Sequence, residues 1–417
     1  MYHLAMTSMA AESSADTDEV LSGLTDFVRS VVVPLEEANA DLLGNPRTRY
    51  DASGALSPPV RELLREVRMR SAEAGFYTMF VPESAGGSGC GRELLYRAWE
   101  HLYATCGPAR ELPFVSIAHW SSGPSALCAH VGPEFAESFL TPYLAGRLTS
   151  CFAMSEPDAG SDAWAMRTTA TRTEDGWRIT GVKQWITNAP LADHAFLFAV
   201  TDEERRRRRT GGVSCFLVPM TSPGVQLDSV IKLFGHIGGH EGILSFDGVE
   251  VAHSALVGEL HEGFRLAMLG VSTGRLYNAA RCVGLARWAL RSASLYADQR
   301  VAFGNPISSY QGISFQLADS AVEIYASDAM AIDCARKLDA GERADHELAM
   351  VKLYTTEMCT RVYDRCMQVH GGMGLTSETR LYEGWQQARI VRIADGSGEI
   401  MRRNIAKGLA RRSHRTL

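Results

Sequence analysis

A change of hydrophobic period at Cys151 constrains this chain more than any other feature. Before it, apolar residues recur at helical spacing (Val20, Leu21, Leu24, Phe27, Val28, Val31), and Pro34 ends or kinks that first helix. Further helical stretches cover 58–74, 92–105 and 123–148. After Cys151, six short alternating stretches punctuated by Gly, Asp and Pro predict strands at 168–173, 177–179, 195–200, 213–219, 224–233 and 242–251. The helical period returns from Gly263, over about 264–301, 312–338, 343–370 and 400–412. A helical pattern does not sit in a sheet, nor a strand pattern in a helix. The order helices, strands, helices therefore predicts an α+β chain. Its expected parts are a disordered lead (1–16), a helical N-terminal domain (17–150), a middle β domain (151–260) and a C-terminal helical bundle (261–417).

Composition excludes several classes. A net charge of -6 leaves no nucleic-acid footprint. No apolar run is long enough to span a membrane, and residues 1–16 lack the basic and apolar regions of a secretory signal. The nine cysteines form no C-x-x-C pair and read as reduced thiols of a cytoplasmic protein. Five consecutive arginines, Arg205 to Arg209, follow two glutamates and precede Gly211-Gly212, and read as a solvated hairpin loop. Gly75 to Gly91 contains no G-x-G-x-x-G, which argues against a dinucleotide-binding βαβ unit.

Four stretches carry chemistry. Phe152 to Asp162 (FAMSEPDAGSD) offers hydroxyls and flexible backbone for a planar ring or a phosphate. Trp185-Ile186-Thr187 can stack on and hydrogen-bond to a flat heterocycle. Gly274-Arg275, then Arg300 with Phe303-Gly304 and Gln311, offer anion clamps, and Gln368 to Gly374 a turn open to close approach. Last comes Ala394-Asp395-Gly396-Ser397-Gly398-Glu399. By itself this stretch favours an Asp that opens a turn and caps the next helix.

Taken in order over residues 18 to 412, these pieces resemble the flavin-dependent acyl-CoA dehydrogenases. Phe80-Val81-Pro82-Glu83, Gly86-Gly87 and Gly263-Phe264 add to the match. The resemblance implies helical, β and four-helix domains, FAD at their junction, and a homodimer or homotetramer. It implies that Ser155 bonds the flavin ring, that Trp185 and Thr187 flank it, and that Ser161 lies near a phosphate of FAD or of the substrate. It implies that Arg300, Phe303, Gln311, Gln368, Gly371 and Gly372 reach the FAD of a neighbouring subunit. Phe152, Ser397 and Glu399 complete the implied cofactor set, and Ser161, Arg275 and Gly396 the implied substrate contacts. The implied reaction is α,β-dehydrogenation of an acyl thioester. Asp395 takes the α-proton, assisted by Arg275, and flavin N5 accepts the β-hydride. Electrons would then pass to an electron-transferring flavoprotein or similar acceptor.

The departures from the family pattern matter. Most relatives carry Glu where this chain has Asp395. A second branch places its base one residue before the Arg, here Gly274, which has no side chain to serve. Asp is one methylene shorter, which predicts a closer backbone or substrate. Ser272 and Thr273 replace an Asp that helps seat the ligand in relatives, so CoA and acyl-carrier protein both stay open. His236 and His240 lack a third ligand, so no metal is expected, while His240 can touch flavin or substrate. A flavin oxidase of the same fold and a non-catalytic partner subunit remain as alternatives.

Overall fold

The computed structural model describes residues 14–413. The expected lead therefore lies mostly outside the described residues, although Ser14 already opens helix Ser14–Phe27. The chain divides into two compact units. One holds 26–90 and 114–271, the other 14–25, 91–113 and 272–413 among the described residues.

The first unit is built on an eight-stranded sheet. Its strands are β1 (Ser150–Ala153), β2 (Thr169–Arg172), β3 (Gly176–Thr187), β4 (His194–Val200), β5 (Val213–Pro219), β6 (Val225–Ile231), β7 (Glu241–Ala252) and β8 (Leu256–Val257). They run in the order β6-β7-β3-β2-β4-β5-β8, with β1 joining β4 in parallel. β4 is buried on both faces. Phe196, Phe198 and Val200 enter one core with Phe139 and Leu217, while Ala195, Leu197 and Ala199 enter another with Trp177 and Phe216. Each large apolar side chain buried this way contributes about 1.5–3 kcal/mol.

Four features differ from the sequence expectation. The stretch 123–148 holds no long helix, only short helical turns at Ala126–His130, Pro133–Phe135, Ala136–Leu140 and Thr141–Leu144. β1 is four residues long and mostly buried, so it has no alternation to read. β3 runs on to Thr187, far beyond 179, because it pairs with β7 across a bulge. The arginines do join two antiparallel neighbours, β4 and β5, but they wind one helical turn, Glu203–Arg207. Asp202 caps that turn by accepting from the Arg205 N–H at 3.0 Å. Arg206 and Arg207 pair with Glu203, and Arg208 with Glu204.

The second unit is helical. Its helices are the part of Gly263–Gln299 from 272 on, then Gln311–Asp339, Asp345–His370, Leu381–Val391 and Gly398–Ser413. The first is lined with small residues, Ala279, Ala286, Ala289, Ala293 and Ala297, all without exposed surface, which lets neighbours pack closely. Helix Arg92–Cys106 belongs to this unit, its first N–H groups capped by the Asp339 carboxylate at 2.6 and 2.9 Å. The sequence reading has no counterpart for the eleven-residue Leu381–Val391. It contains Gly384, where a Cβ would stand 2.3 Å from the Tyr363 ring, so packing rather than propensity sets this residue. Among the described residues no helix is long and apolar enough to cross a membrane.

Candidate active site

In the sheet unit the site residues are organised by one buried ion pair and one bulge. Lys183, with no exposed surface, donates to Glu156 Oε1 at 2.8 Å and to the Met154 carbonyl at 3.0 Å. Glu156 also accepts from the backbone N–H groups of Arg167 (2.6 Å) and Thr168 (3.0 Å). This pair pins the loop that carries Ser155 and Ser161 against β3. The Gln184 N–H adds a bond to the Ser155 carbonyl at 2.9 Å. Between Lys183 and Ile186 the pairing with β7 slips by one residue, and Trp185 takes a left-handed φ of 65°. A bulge re-aims a side chain, and such backbone persists only where its surroundings hold it. Here it leaves the Trp185 indole 54% exposed. Thr187, two residues on, is exposed as well, and Ser155 is half-buried. Phe152 packs its ring against Trp120 and Phe198, at 5.2 and 4.7 Å between centroids. Ser161 is exposed, and its neighbour Asp162 pairs with Arg209 of the arginine run at 2.9 Å. The His240 carbonyl accepts from the Asn188 N–H at 2.7 Å. No His, Cys, Asp and Glu cluster among the described residues suits a metal.

In the helical unit, Asp395 sits on a strained turn between helices Leu381–Val391 and Gly398–Ser413, with φ 55° followed by Gly396 at φ 100°. The φ of Gly396 is one that L side chains rarely adopt, so glycine is required there by backbone conformation. Three side chains from two other helices clamp the turn. Arg275 Nε donates to the Asp395 carbonyl (3.2 Å), Lys352 Nζ to the Gly396 carbonyl (2.5 Å), and Asn278 Nδ2 to Asp395 Oδ2 (2.7 Å). Burial pushes the Asp395 carboxyl up to about 6, outweighing the charges of Lys352 and Arg275 and the Asn278 bond. Burial likewise pushes Lys352 down to about 8, against the pull of Asp395. Asp395 Oδ1 accepts no hydrogen bond among the described residues, and no carbonyl among them takes the Asp395 N–H. Asp395 does not cap the following helix. Ser397 Oγ does, accepting from the Ile400 N–H at 3.4 Å. Glu399 is exposed in the first turn of that helix.

A second cluster forms elsewhere in the same unit. Tyr296 stacks on His370 at 4.4 Å, which brings the ends of helices Gly263–Gln299 and Asp345–His370 together. Arg300 and Phe303 follow one of these ends, and Gln368, in the last turn of the other helix, lies with Gly371 and Gly372 just past its end; all are exposed, Phe303 by 96%. Gln311, also exposed, opens the next helix.

Asn278 and Lys352 are absent from the sequence reading. Asn278 had a readable signal, since it lies three residues after Arg275 and so on the same helical face. Lys352 had a weaker one, a lysine amid the buried Leu348, Ala349, Val351 and Thr355.

Two family models match the chain, the acyl-CoA dehydrogenase middle domain over residues 151–249 and its C-terminal domain over 261–410. The human mitochondrial short-chain specific acyl-CoA dehydrogenase is 35% identical over 81% of this chain and 80% of its own length. The CarC subunit of the caffeyl-CoA reductase-Etf complex of Acetobacterium woodii is 32% identical over 81% of this chain and 88% of its own. The solved butyryl-CoA dehydrogenase of Megasphaera elsdenii superposes with a TM-score of 0.79 at 27% identity, covering 96% of this chain and all of that one.

Proposed function

The chain belongs to the acyl-CoA dehydrogenase family, and on that footing we propose that it desaturates an acyl-CoA thioester between Cα and Cβ, using FAD and with Asp395 as base. The observation that carries this reading is the Asp395 carboxyl itself. It has one side-chain donor, a free Oδ1 among the described residues, and a pKa raised to about 6. At pH 7 such a group is mostly ionised, yet more basic than an ordinary Asp. Asp395 takes the proton from Cα as the Cα–Cβ double bond forms, and the hydrogen on Cβ leaves with its electron pair. Bound FAD supplies the acceptor for that pair. The unengaged Asp395 N–H is a donor for the thioester oxygen, stabilising charge as the Cα–H bond weakens. Arg275 and Asn278 hold the carboxylate in its turn.

The sheet unit fits a flat cofactor. Trp185 presents its ring on a bulge, and the Ser155 loop is fixed beside it through Gln184. Thr187 and Ser155 are the hydroxyls for the ring and Ser161 the one for a phosphate. CoA is favoured over an acyl-carrier protein by the CoA thioesters that relatives are named for. Reoxidation by an electron-transferring flavoprotein is supported by the Etf complex of one relative. The exposed Arg300, Phe303, Gln311, Gln368, Gly371 and Gly372 are read as reaching a neighbouring subunit's FAD in a homodimer or homotetramer. Light scattering of the holoprotein tests this, and a monomer would remove it.

The test of the base is Asp395→Asn. The variant should keep its yellow flavin but lose anaerobic bleaching by a panel of acyl-CoAs, by about 100- to 10,000-fold in rate. Bleaching at the wild-type rate would sink the assignment. A second reading, reduction of the enoyl thioester, is favoured by the reductase relative. A carboxyl near 6 stays partly protonated at pH 7, so it can also return the α-proton. Reoxidation of the dithionite-reduced protein by enoyl-CoAs, faster than bleaching by the saturated partners, would favour that direction.

A further inference from the structure

The mechanism above leaves one buried cation without a task. Lys352 has no exposed surface, yet its Nζ donates to the carbonyl of Gly396, the residue after the base, from a helix 44 residues earlier in sequence. An ammonium this deep in a helical unit costs free energy unless hydrogen bonds and opposite charge offset it. The turn it grips is the strained one, left-handed at both Asp395 and Gly396.

We propose that Lys352 is a positioning residue for the base: its buried ammonium holds the Asp395-Gly396 turn through the Gly396 carbonyl and supplies the positive charge that keeps the Asp395 carboxyl ionised at working pH. This rests on Asp395 being the base. The groups that face Asp395 are Lys352 from helix Asp345–His370 together with Arg275, Tyr277 and Asn278 from helix Gly263–Gln299. Those that face Lys352 are Asp395, Cys282, Arg275 and Glu399. Of the charges acting on Asp395, that of Lys352 is felt most strongly. Arg275 spends its Nε on the Asp395 carbonyl, not on the carboxylate. Two cations thus hold the backbone of the turn while the carboxylate keeps Oδ1 open. The ammonium acts on the carboxylate through space, without occupying the oxygen that receives the proton.

The experiment is the pH profile of anaerobic flavin bleaching by the best acyl-CoA of the panel, in FAD-loaded protein. Lys352→Gln keeps an amide able to donate to Gly396 but removes the charge. Lys352→Arg keeps the charge. Lys352→Met removes both. With the charge gone, the acidic limb should move up by about one pH unit, so that bleaching falls about fivefold at pH 6 and about ninefold at pH 5 while the rate at pH 9 stays near wild type in the Gln variant. The Arg variant should keep the wild-type limb. A uniform loss at every pH in the Gln variant, with the limb in place, would overturn the proposal, because a merely structural lysine behaves that way. If the Met variant does not fold, the Gln and Arg pair still decides. Asp395→Asn separates the two readings. Bleaching that survives there removes the base itself, whereas abolished bleaching with an unmoved limb in Lys352→Gln removes only the role of Lys352.

Discussion

Among the described residues two lysines have no exposed surface, Lys183 in the sheet unit and Lys352 in the helical unit. Burial pushes each ammonium down to about 8. Both act on a carboxylate, and the two carboxylates end up opposite. Burial pushes Glu156 up, but the charge of Lys183, its hydrogen bond, and the N–H groups of Thr168 and Arg167 outweigh that, and the carboxyl settles below its ordinary range. Asp395 has a single side-chain donor, Asn278, and its carboxyl settles near 6. The difference lies in how the donors are spent. Around Glu156 they go to the carboxylate. Around Asp395 the Arg275 and Lys352 donors go to the backbone of the turn. A fully satisfied carboxylate is inert and serves the fold, while a partly satisfied one keeps proton affinity and serves chemistry.

The largest effect that would break this comparison is on the sheet side. Lys183→Met leaves Glu156 charged, buried and short of its strongest partner. It should cost about 3–5 kcal/mol in urea unfolding of the holoprotein. It should also loosen FAD, because the pair pins the loop bearing Ser155. Glu156→Gln together with Lys183→Met should cost less than the two single changes added, since the orphaned charge is then gone. A loss under about 1 kcal/mol in Lys183→Met would mean that the pair is not what holds the loop.

How much of this was legible beforehand follows from the same contrast. The switch of period at Cys151 gave the layering, because alternation and helical spacing are local properties. The sequence pattern ends β3 at 179 because Lys183 and Gln184 are polar residues in a stretch whose pairing with β7 is distant in sequence. The charge of the arginine stretch dominates and predicts a loop, although Asp202 and the glutamates three and four residues ahead are the signs of a capped helical turn. Asp395 was legible as a candidate because a carboxylate before Gly-Ser-Gly fits a turn. That Ser397, and not Asp395, caps the next helix was not, because the left-handed φ of Asp395 is set by Arg275 and Lys352, more than forty residues away in sequence. Lys352 itself gave only the oddity of a cation on an apolar face. Its partner, a backbone carbonyl, has no signature in sequence at all.

The smallest change sharpens the comparison most directly, because it alters one donor and no charge. Asn278 is 3% exposed and contributes the only side-chain hydrogen bond to the Asp395 carboxylate among the described residues. Asn278→Leu keeps the volume and removes the donor. The bond favours the ionised carboxyl, so its loss raises the pKa further, above the present value of about 6. A hydrogen bond contributing about 1 kcal/mol corresponds to somewhat less than one pH unit, so the acidic limb of flavin bleaching should rise by about half a unit to one unit. Above the limb the proposed base Asp395 is ionised in both proteins and their rates should converge. This shift should be smaller than that of Lys352→Gln, since the lysine's charge weighs more on Asp395 than the amide's bond does. If the limb stays where it was, the number of donors on the carboxylate is not what separates Asp395 from Glu156. Burial and net charge alone would then have to account for both.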